Sequence, residues 1–237
     1  RMQAGILLIP QQEKMALWMS RLQRLRAVPQ AGHRRWCAVG AHCQPPDEPH
    51  IPVCPVCPPY KPPMCEVCSA LAQVTRGVVS EEEEAALVAD IDRWFVRKRY
   101  DGGHFDKVIT QYREVQKPAR RFSEANQRVL QRLRDLVFSP EADLLPVHVL
   151  DLHADGEIGP HVDHVEYSGR VIVGLSLLTD AVMTFRHERS EALASVLLPR
   201  RSLYVMADAA RYDWAHAILA QEKGRRVSLL FRDRAAE

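Results

Sequence analysis

Residues 146–178 read PVHVLDLHADGEIGPHVDHVEYSGRVIVGLSLL, and the reading of this stretch decides the fold. From Pro146 onward the hydrophobic pattern repeats every two residues, the signature of strands with alternating faces. Strands are predicted over 147–153, 158–165, 171–178, 182–188, 193–198, 202–206, 214–219 and 225–232. Turn residues punctuate them: Asp155-Gly156, Ser168-Gly169, Thr179-Asp180, Pro199 and Lys223-Gly224. Short strands at this spacing predict an antiparallel sandwich or jelly roll.

Helical spacing precedes the strands. Ser80 followed by Glu83 forms a capping box, and Leu87, Val88, Ile91, Trp94 and Phe95 then mark one helical face. Arg97, Lys98 and Arg99 are expected to close this helix, where cations suit the dipole. A second helix is predicted from Ser123 through Val129, Leu130, Leu133, Leu136 and Val137, with Pro140 ending it. Gly102-Gly103 and Lys117-Pro118 mark irregular connections. The expected class is α+β, a jelly roll with supporting N-terminal helices.

Composition divides the chain of 237 residues in two. All six Cys lie at or before Cys68, and nine of the 16 Pro lie between Pro45 and Pro63. Residues 1–73 read as an N-terminal extension and 74–237 as the folded domain. Glu13 to Val28 is Arg-rich, acid-poor and amphipathic, the pattern of a mitochondrial transit peptide or of an ordinary surface helix. The proline-dense linker after it holds Cys54, Cys57, Cys65 and Cys68, whose two Cys-x-x-Cys pairs could bind zinc or be chance thiols. No stretch approaches the ~18 apolar residues of a membrane span. Residues 70–237 carry 24 Lys/Arg against 26 Asp/Glu, which excludes a basic duplex-coating surface but not a local groove. No glycine-rich phosphate loop is present.

His161-Val162-Asp163 carries the sharpest chemistry. On a strand, positions two apart share a face, so an imidazole and a carboxylate can grip one ion. His216 follows in another predicted strand. Two His and one carboxylate leave open positions on a metal, which suits non-haem Fe(II). His164 faces the other way, and His148, His153 and His187 read as structural or solvent-facing. Arg226, Ser228 and Arg232 share a face of the last strand. An inward Arg is costly without an anion, and a dicarboxylate supplies one that guanidinium pairs bidentately; the alternative is a terminal basic strand facing water. Arg226 with Ser228, joined by the Tyr204 hydroxyl, can hold the distal carboxylate of 2-oxoglutarate.

The order His161-x-Asp163, His216, Arg226 and Arg232 resembles the AlkB family of Fe(II)/2-oxoglutarate dioxygenases, and within it a mitochondrial subtype. His148 to Leu152, Gly174 to Leu178, Ser202 to Tyr204, Ala210 to Asp213 and Gly224 to Ser228 carry the same likeness, which spans about residues 74–234. The resemblance implies a double-stranded β-helix. It implies that His161, Asp163 and His216 ligate Fe(II), and that Tyr204, Arg226, Val227, Ser228 and Arg232 bind 2-oxoglutarate. Dioxygen would be the second cosubstrate, succinate and CO2 the co-products, and a hydroxylated carbon the product. The subtype implies a monomer in the mitochondrial matrix acting on a protein or small acyl substrate, with roles in fatty-acid metabolism and programmed necrosis after alkylation damage.

Nucleic-acid demethylases of the family place Asn-x-Tyr where this chain has Leu150-Asp151-Leu152. The chain from Tyr100 to Pro146 is short for a nucleotide-recognition lid, and few aromatics there could stack a flipped base. The loop between His216 and Arg226 is tight. Demethylation of tRNA or DNA stands as one alternative, and a non-catalytic scaffold keeping the metal for stability as another.

Overall fold

The computed structural model describes residues 71–103, 108–190, 192–219 and 224–235. The transit-like segment 13–28 and the four cysteines of the linker lie outside the described residues. The element order is β1 (Gln73–Thr75), α1 (Glu81–Phe95), β2 (Ile109–Lys117), α2 (Glu124–Val137), β3 (Val147–His161), β4 (Val171–Leu177), β5 (Ala181–His187), β6 (Leu193–Leu198), β7 (Ser202–Ala207), β8 (Trp214–Leu219) and β9 (Arg226–Arg232). A short helical turn, Ala209–Tyr212, lies between β7 and β8. Leu71 and Ala72, which the 73/74 boundary assigns to the extension, are buried in the same core as the strands.

Every pairing is antiparallel, in the order β1-β7-β4-β9-β3-β8-β5-β6 with β2 also on β3. The long strand β3 joins two sheets. Its first half pairs with β9 and its end pairs with β8, so the sheet folds over into a nearly closed barrel. This is the expected jelly roll.

Two departures have local causes. The predicted turn at Asp155-Gly156 does not reverse the chain. Leu152 pairs with Tyr112 and Glu157 with Thr110, so His153 to Gly156 bulge opposite the single residue Gln111, which takes a positive φ of 46°. Gly156 is required there, because a Cβ would stand 2.7 Å from the Gln111 carbonyl oxygen. Between the two irregular connections lies an unexpected strand, β2, whose mixed polar sequence hides its period.

The helices cover one face of the sheet. Ser80 caps α1 through the predicted box: its hydroxyl accepts from Glu83 N at 3.1 Å, and Glu83 accepts from Ser80 N at 3.0 Å. The helix stops at Phe95, so Arg97 to Arg99 lie beyond it and Arg93 is the cation of its last turn. Asp90 of α1 accepts from Ser123 N at 2.7 Å and Asn126 Nδ2 at 2.6 Å, tying α1 to the start of α2. Leu87, Ile91, Leu130 and Leu133 then pack against Val173, Leu175, Val227 and Leu229. The alternate residues of the same strands point into the barrel, where Leu150, Ile172, Tyr204 and Met206 form the second core.

Leu229 is fully buried between helices and sheet. Leu229→Ala is expected to lower unfolding free energy by about 2–5 kcal/mol in urea titration. A loss below about 1 kcal/mol would mean that the helix layer is not seated on β9.

Candidate active site

A cavity in the barrel interior brings together most of the candidate residues, but Arg226 and Val227 are not on its wall. Its wall includes His161, Asp163, His216, Tyr204, Ser228, Arg232 and, unexpectedly, His148. The rest of the wall is apolar, with Ile109, Leu150, Ile158, Met183 and Ile218 among it.

His161 and His216 face each other across the β3–β8 pairing. Asp163 lies two residues beyond the end of β3, in the loop rather than on the predicted strand. Its carboxylate still reaches both rings: Oδ1 is 3.7 Å from His161 Nε2 and Oδ2 is 3.7 Å from His216 Nε2. These spacings are too long for hydrogen bonds, and one ion with ligands at about 2.1 Å can bridge them. One donor atom from each of the three residues lies within 4.8 Å of the others. The Gly159 carbonyl, 2.9 Å away, accepts from His161 Nδ1 and leaves the Nε2 lone pair for an ion. Burial would raise the Asp163 carboxyl, but His161, His216 and Arg211 outweigh it and hold it well below the usual range. Burial pushes His216 down to about 4, against the pull of Asp163. At neutral pH the metal-free site is therefore a neutral imidazole beside a carboxylate, the protonation state that ligation needs.

The second cluster lies on β9 and its neighbours. Arg226 is buried, donating to Ser228 Oγ at 2.5 Å and Ser176 Oγ at 3.3 Å. Its Nε has no partner, and among the described residues no carboxylate pairs with it. Desolvation lowers its pKa, opposed by Tyr204. The Tyr204 hydroxyl, buried beside it, is pushed up to about 12 by desolvation, so it stays a donor. Gly174 pairs with Tyr204 across β4–β7, and a Cβ there would overlap the Tyr204 ring. Val227 turns the other way, into the core beneath the helices, so its side chain is outside the cavity.

Arg232 lies on the cavity wall, donating to Ser168 Oγ at 3.3 Å and His148 Nδ1 at 3.3 Å. His148 Nε2 in turn stands 2.8 Å from Glu114 Oε2, which fixes the ring with its Nδ1 free to accept. The sequence suggests a structural or solvent-facing place for His148, and the structure puts it on the cavity wall. Its period-two spacing with Leu150 and Leu152 was the available signal. Of Leu150-Asp151-Leu152, the leucines face inward. Asp151 faces away and accepts from Arg113 Nε at 2.7 Å, Arg225 Nε at 2.9 Å and Tyr100 at 3.2 Å.

A family model described as the 2OG-Fe(II) oxygenase superfamily matches residues 93–232. The chain belongs to that superfamily. Its cofactor is Fe(II) and its cosubstrate 2-oxoglutarate, which the His-Asp-His group suits. It is of the AlkB type, an oxidoreductase. It is 41% identical over 173 residues to the mouse protein named alpha-ketoglutarate-dependent dioxygenase alkB homolog 7, mitochondrial, covering 68% of this chain and 77% of that protein. The cattle protein of the same name is 40% identical over 174 residues, with the same shares of each chain covered. Among solved structures, a Pseudomonas putida prolyl-4-hydroxylase shares the fold at TM-score 0.53 and 14% identity, covering 72% of this chain and 96% of that one.

Two outcomes follow from this geometry. Metal-free protein should lose stability as pH falls from about 6.5 to about 4, because the unfolded chain binds the proton that folded His216 refuses. The full effect is about 3 kcal/mol, and Asp163 adds a further loss below that window. Urea midpoints at pH 7 and pH 4.5 measure it, and His216→Gln should flatten the dependence. An unchanged slope in that variant would assign the titration elsewhere. Separately, Gly174→Ala is expected to cost about 1–3 kcal/mol by forcing the Tyr204 ring aside; a neutral result in thermal melts would mean that the ring sits elsewhere.

Proposed function

We propose that His161, Asp163 and His216 hold the iron, and that Tyr204, Arg226 and Ser228 hold the distal carboxylate of 2-oxoglutarate. The observation that carries this is the buried, carboxylate-free Arg226 in the same barrel as the His-Asp-His group. A buried guanidinium without an anion is costly, and a dicarboxylate ligand removes that cost. Iron, 2-oxoglutarate and dioxygen together supply oxidation of a C–H bond, with succinate and CO2 as co-products.

The chain's own residues make the rest possible. Asp163 remains an anion and His216 neutral, so neither needs to lose a proton at neutral pH before gripping the ion. Tyr204 keeps its proton and donates a hydrogen bond to the bound carboxylate. Arg232, oriented by His148, lines the cavity and meets the proximal end of the cosubstrate or the substrate. The apolar wall of Ile109, Leu150, Ile158 and Met183 keeps water from the reacting carbon.

The substrate we propose is a protein or a small acyl compound, met by a monomer in the mitochondrial matrix. The names of the mouse and cattle relatives support the mitochondrial setting. Leu150 on the cavity wall, with no side-chain hydrogen bond to offer a base edge, supports a substrate other than a nucleobase. The cellular roles that belong with this reading are fatty-acid metabolism and programmed necrosis after alkylation damage. The test is mass spectrometry of candidate proteins, acyl compounds and RNAs after incubation with Fe(II), 2-oxoglutarate and dioxygen. A hydroxylated protein or acyl product supports the proposal. Demethylated RNA would overturn the substrate class, and absence of succinate would overturn catalysis in favour of a metal-stabilised scaffold.

Arg226→Ala should weaken 2-oxoglutarate binding by roughly two to three orders of magnitude, since stranding one partner of such a pair costs ~3–5 kcal/mol. Iron binding should survive. Arg226→Lys should recover only part, because a point charge cannot reproduce the planar fork. Titration of 2-oxoglutarate into Mn(II)-loaded variants reads this directly. Unchanged affinity in Arg226→Ala would give the carboxylate to another cation.

A further inference from the structure

Arg211 is fully buried, only 1% exposed, and among the described residues no carboxylate pairs with it. It does not line the cavity. Its guanidinium instead gathers backbone carbonyls of one loop: Nη1 donates to Asp163 O at 2.7 Å, and Nη2 donates to His164 O at 3.1 Å and Ser168 O at 3.4 Å. That loop leaves β3 at His161, carries Asp163 and returns as β4. Arg211 itself lies in the helical turn Ala209–Tyr212, five residues before His216 on β8. One side chain therefore fastens the segment holding the carboxylate to the segment holding the second imidazole.

The fastening has a specific consequence. Asp163 lies beyond the last strand residue, so sheet hydrogen bonds do not fix its backbone. A loop aspartate can swing by several ångströms, whereas one ion requires its oxygens to stay within reach of both rings. The Asp163 carbonyl is held by the shortest of the three Arg211 bonds. Desolvating a guanidinium that forms no ion pair is costly, even with three carbonyls, the Tyr212 ring and the longer-range charge of Asp163 to offset it. A purely structural role would be filled at lower cost by an apolar residue of similar volume.

We propose that Arg211 is a positioning residue for the metal centre, pinning the Asp163 loop so that the carboxylate stays opposed to His161 and His216. It touches neither metal nor cosubstrate and acts through Asp163. This rests on the proposed metal site and extends it to a residue outside the cavity. It also gives a task to Ser168, whose carbonyl accepts from Arg211 while its hydroxyl accepts from Arg232. The loop is thereby joined to both sides of the site.

The test is Mn(II) titration of the full-length protein and its Arg211→Lys and Arg211→Met variants, with metal-free thermal melts in parallel. Lys keeps the charge and most of the volume, but cannot reach three carbonyls with one planar fork. Loss of a group that orients a ligand typically weakens metal binding by about 10–100-fold. Arg211→Met should show a loss of this size. Arg211→Lys should fall several-fold, in protein that still melts cooperatively. The electronic spectrum of the Co(II)-substituted variants should change as well, since it reports ligand geometry that fold stability alone does not alter. If Arg211→Met does not fold, Arg211→Lys decides. Mn(II) affinity within twofold of the parent, with an unaltered Co(II) spectrum, would overturn the positioning role and leave the metal site standing. A parent that binds no Mn(II) would overturn the metal site and the positioning role together.

Discussion

The register of β9 is the constraint on which the site depends. Val227, Leu229 and Phe231 lie beneath the helices, while Arg226, Ser228, Leu230 and Arg232 face the barrel interior. A strand buried on both faces has no neutral alternative. A slip of one residue would drive Arg226 into the packing of Leu87, Ile91 and Leu133 and turn Leu229 toward the cavity. The desolvation cost of a guanidinium in an apolar core far exceeds the value of any one ladder hydrogen bond. The helix layer therefore specifies which face of β9 presents its cations, and packing remote from the cavity sets the chemistry within it.

The same two-faced logic runs through β3, β4 and β7, and it explains what could be read from sequence. Alternation with clear apolar content placed seven of the nine strands and both long helices. His161, Asp163, His216, Tyr204 and Arg226 could be selected because their residue types and order are unusual for a core. What escaped had a different physical origin. In β2, Ile109, Tyr112 and Val115 are separated by a bulge and by polar residues, so no period of two survives. The Asp155-Gly156 pair is ordinary turn chemistry used for a bulge, which local sequence cannot distinguish from a hairpin. Val227, which the resemblance groups with Arg226 and Ser228, points to the other face of β9, because a strand groups side chains by alternation. His148 and Arg211 act through partners distant in sequence, Glu114 and the Asp163 loop, and no spacing rule reveals such pairs.

Charge is divided between the two faces of the sheet in a way that separates structure from function. On the outer side, Asp151 is fully buried and satisfied by Arg113 and Arg225, and Arg225 also pairs with Asp92. That cluster is balanced within the protein and sews β2 and β9 to β3. Burial would lower the Arg225 pKa, but Asp151 and Asp92 outweigh it and raise it above its usual range. On the inner side, Arg226 and Arg232 both have desolvation-lowered pKa values, and no described carboxylate pairs with either. Arg225, just before β9, and its neighbour Arg226 at the start of β9 thus lie in opposite electrostatic circumstances.

The inner imbalance is large enough to organise binding. Arg226, Arg232 and Arg211 against the carboxylates of Asp163 and Glu114 leave the site with a net positive charge, and a dication would increase it. At the proposed site a dianionic cosubstrate would bring the sum back toward neutrality, so metal and cosubstrate would be coupled through the field of the cavity. Asp163 is central to this balance. As an anion it attracts the metal and also raises the pKa values of Arg232 and Tyr204, favouring charged Arg232 and protonated Tyr204. A carboxylate on the loop that Arg211 fastens therefore stabilises the hydrogen-bond donors across the barrel, and the two halves of the site depend on one another through it.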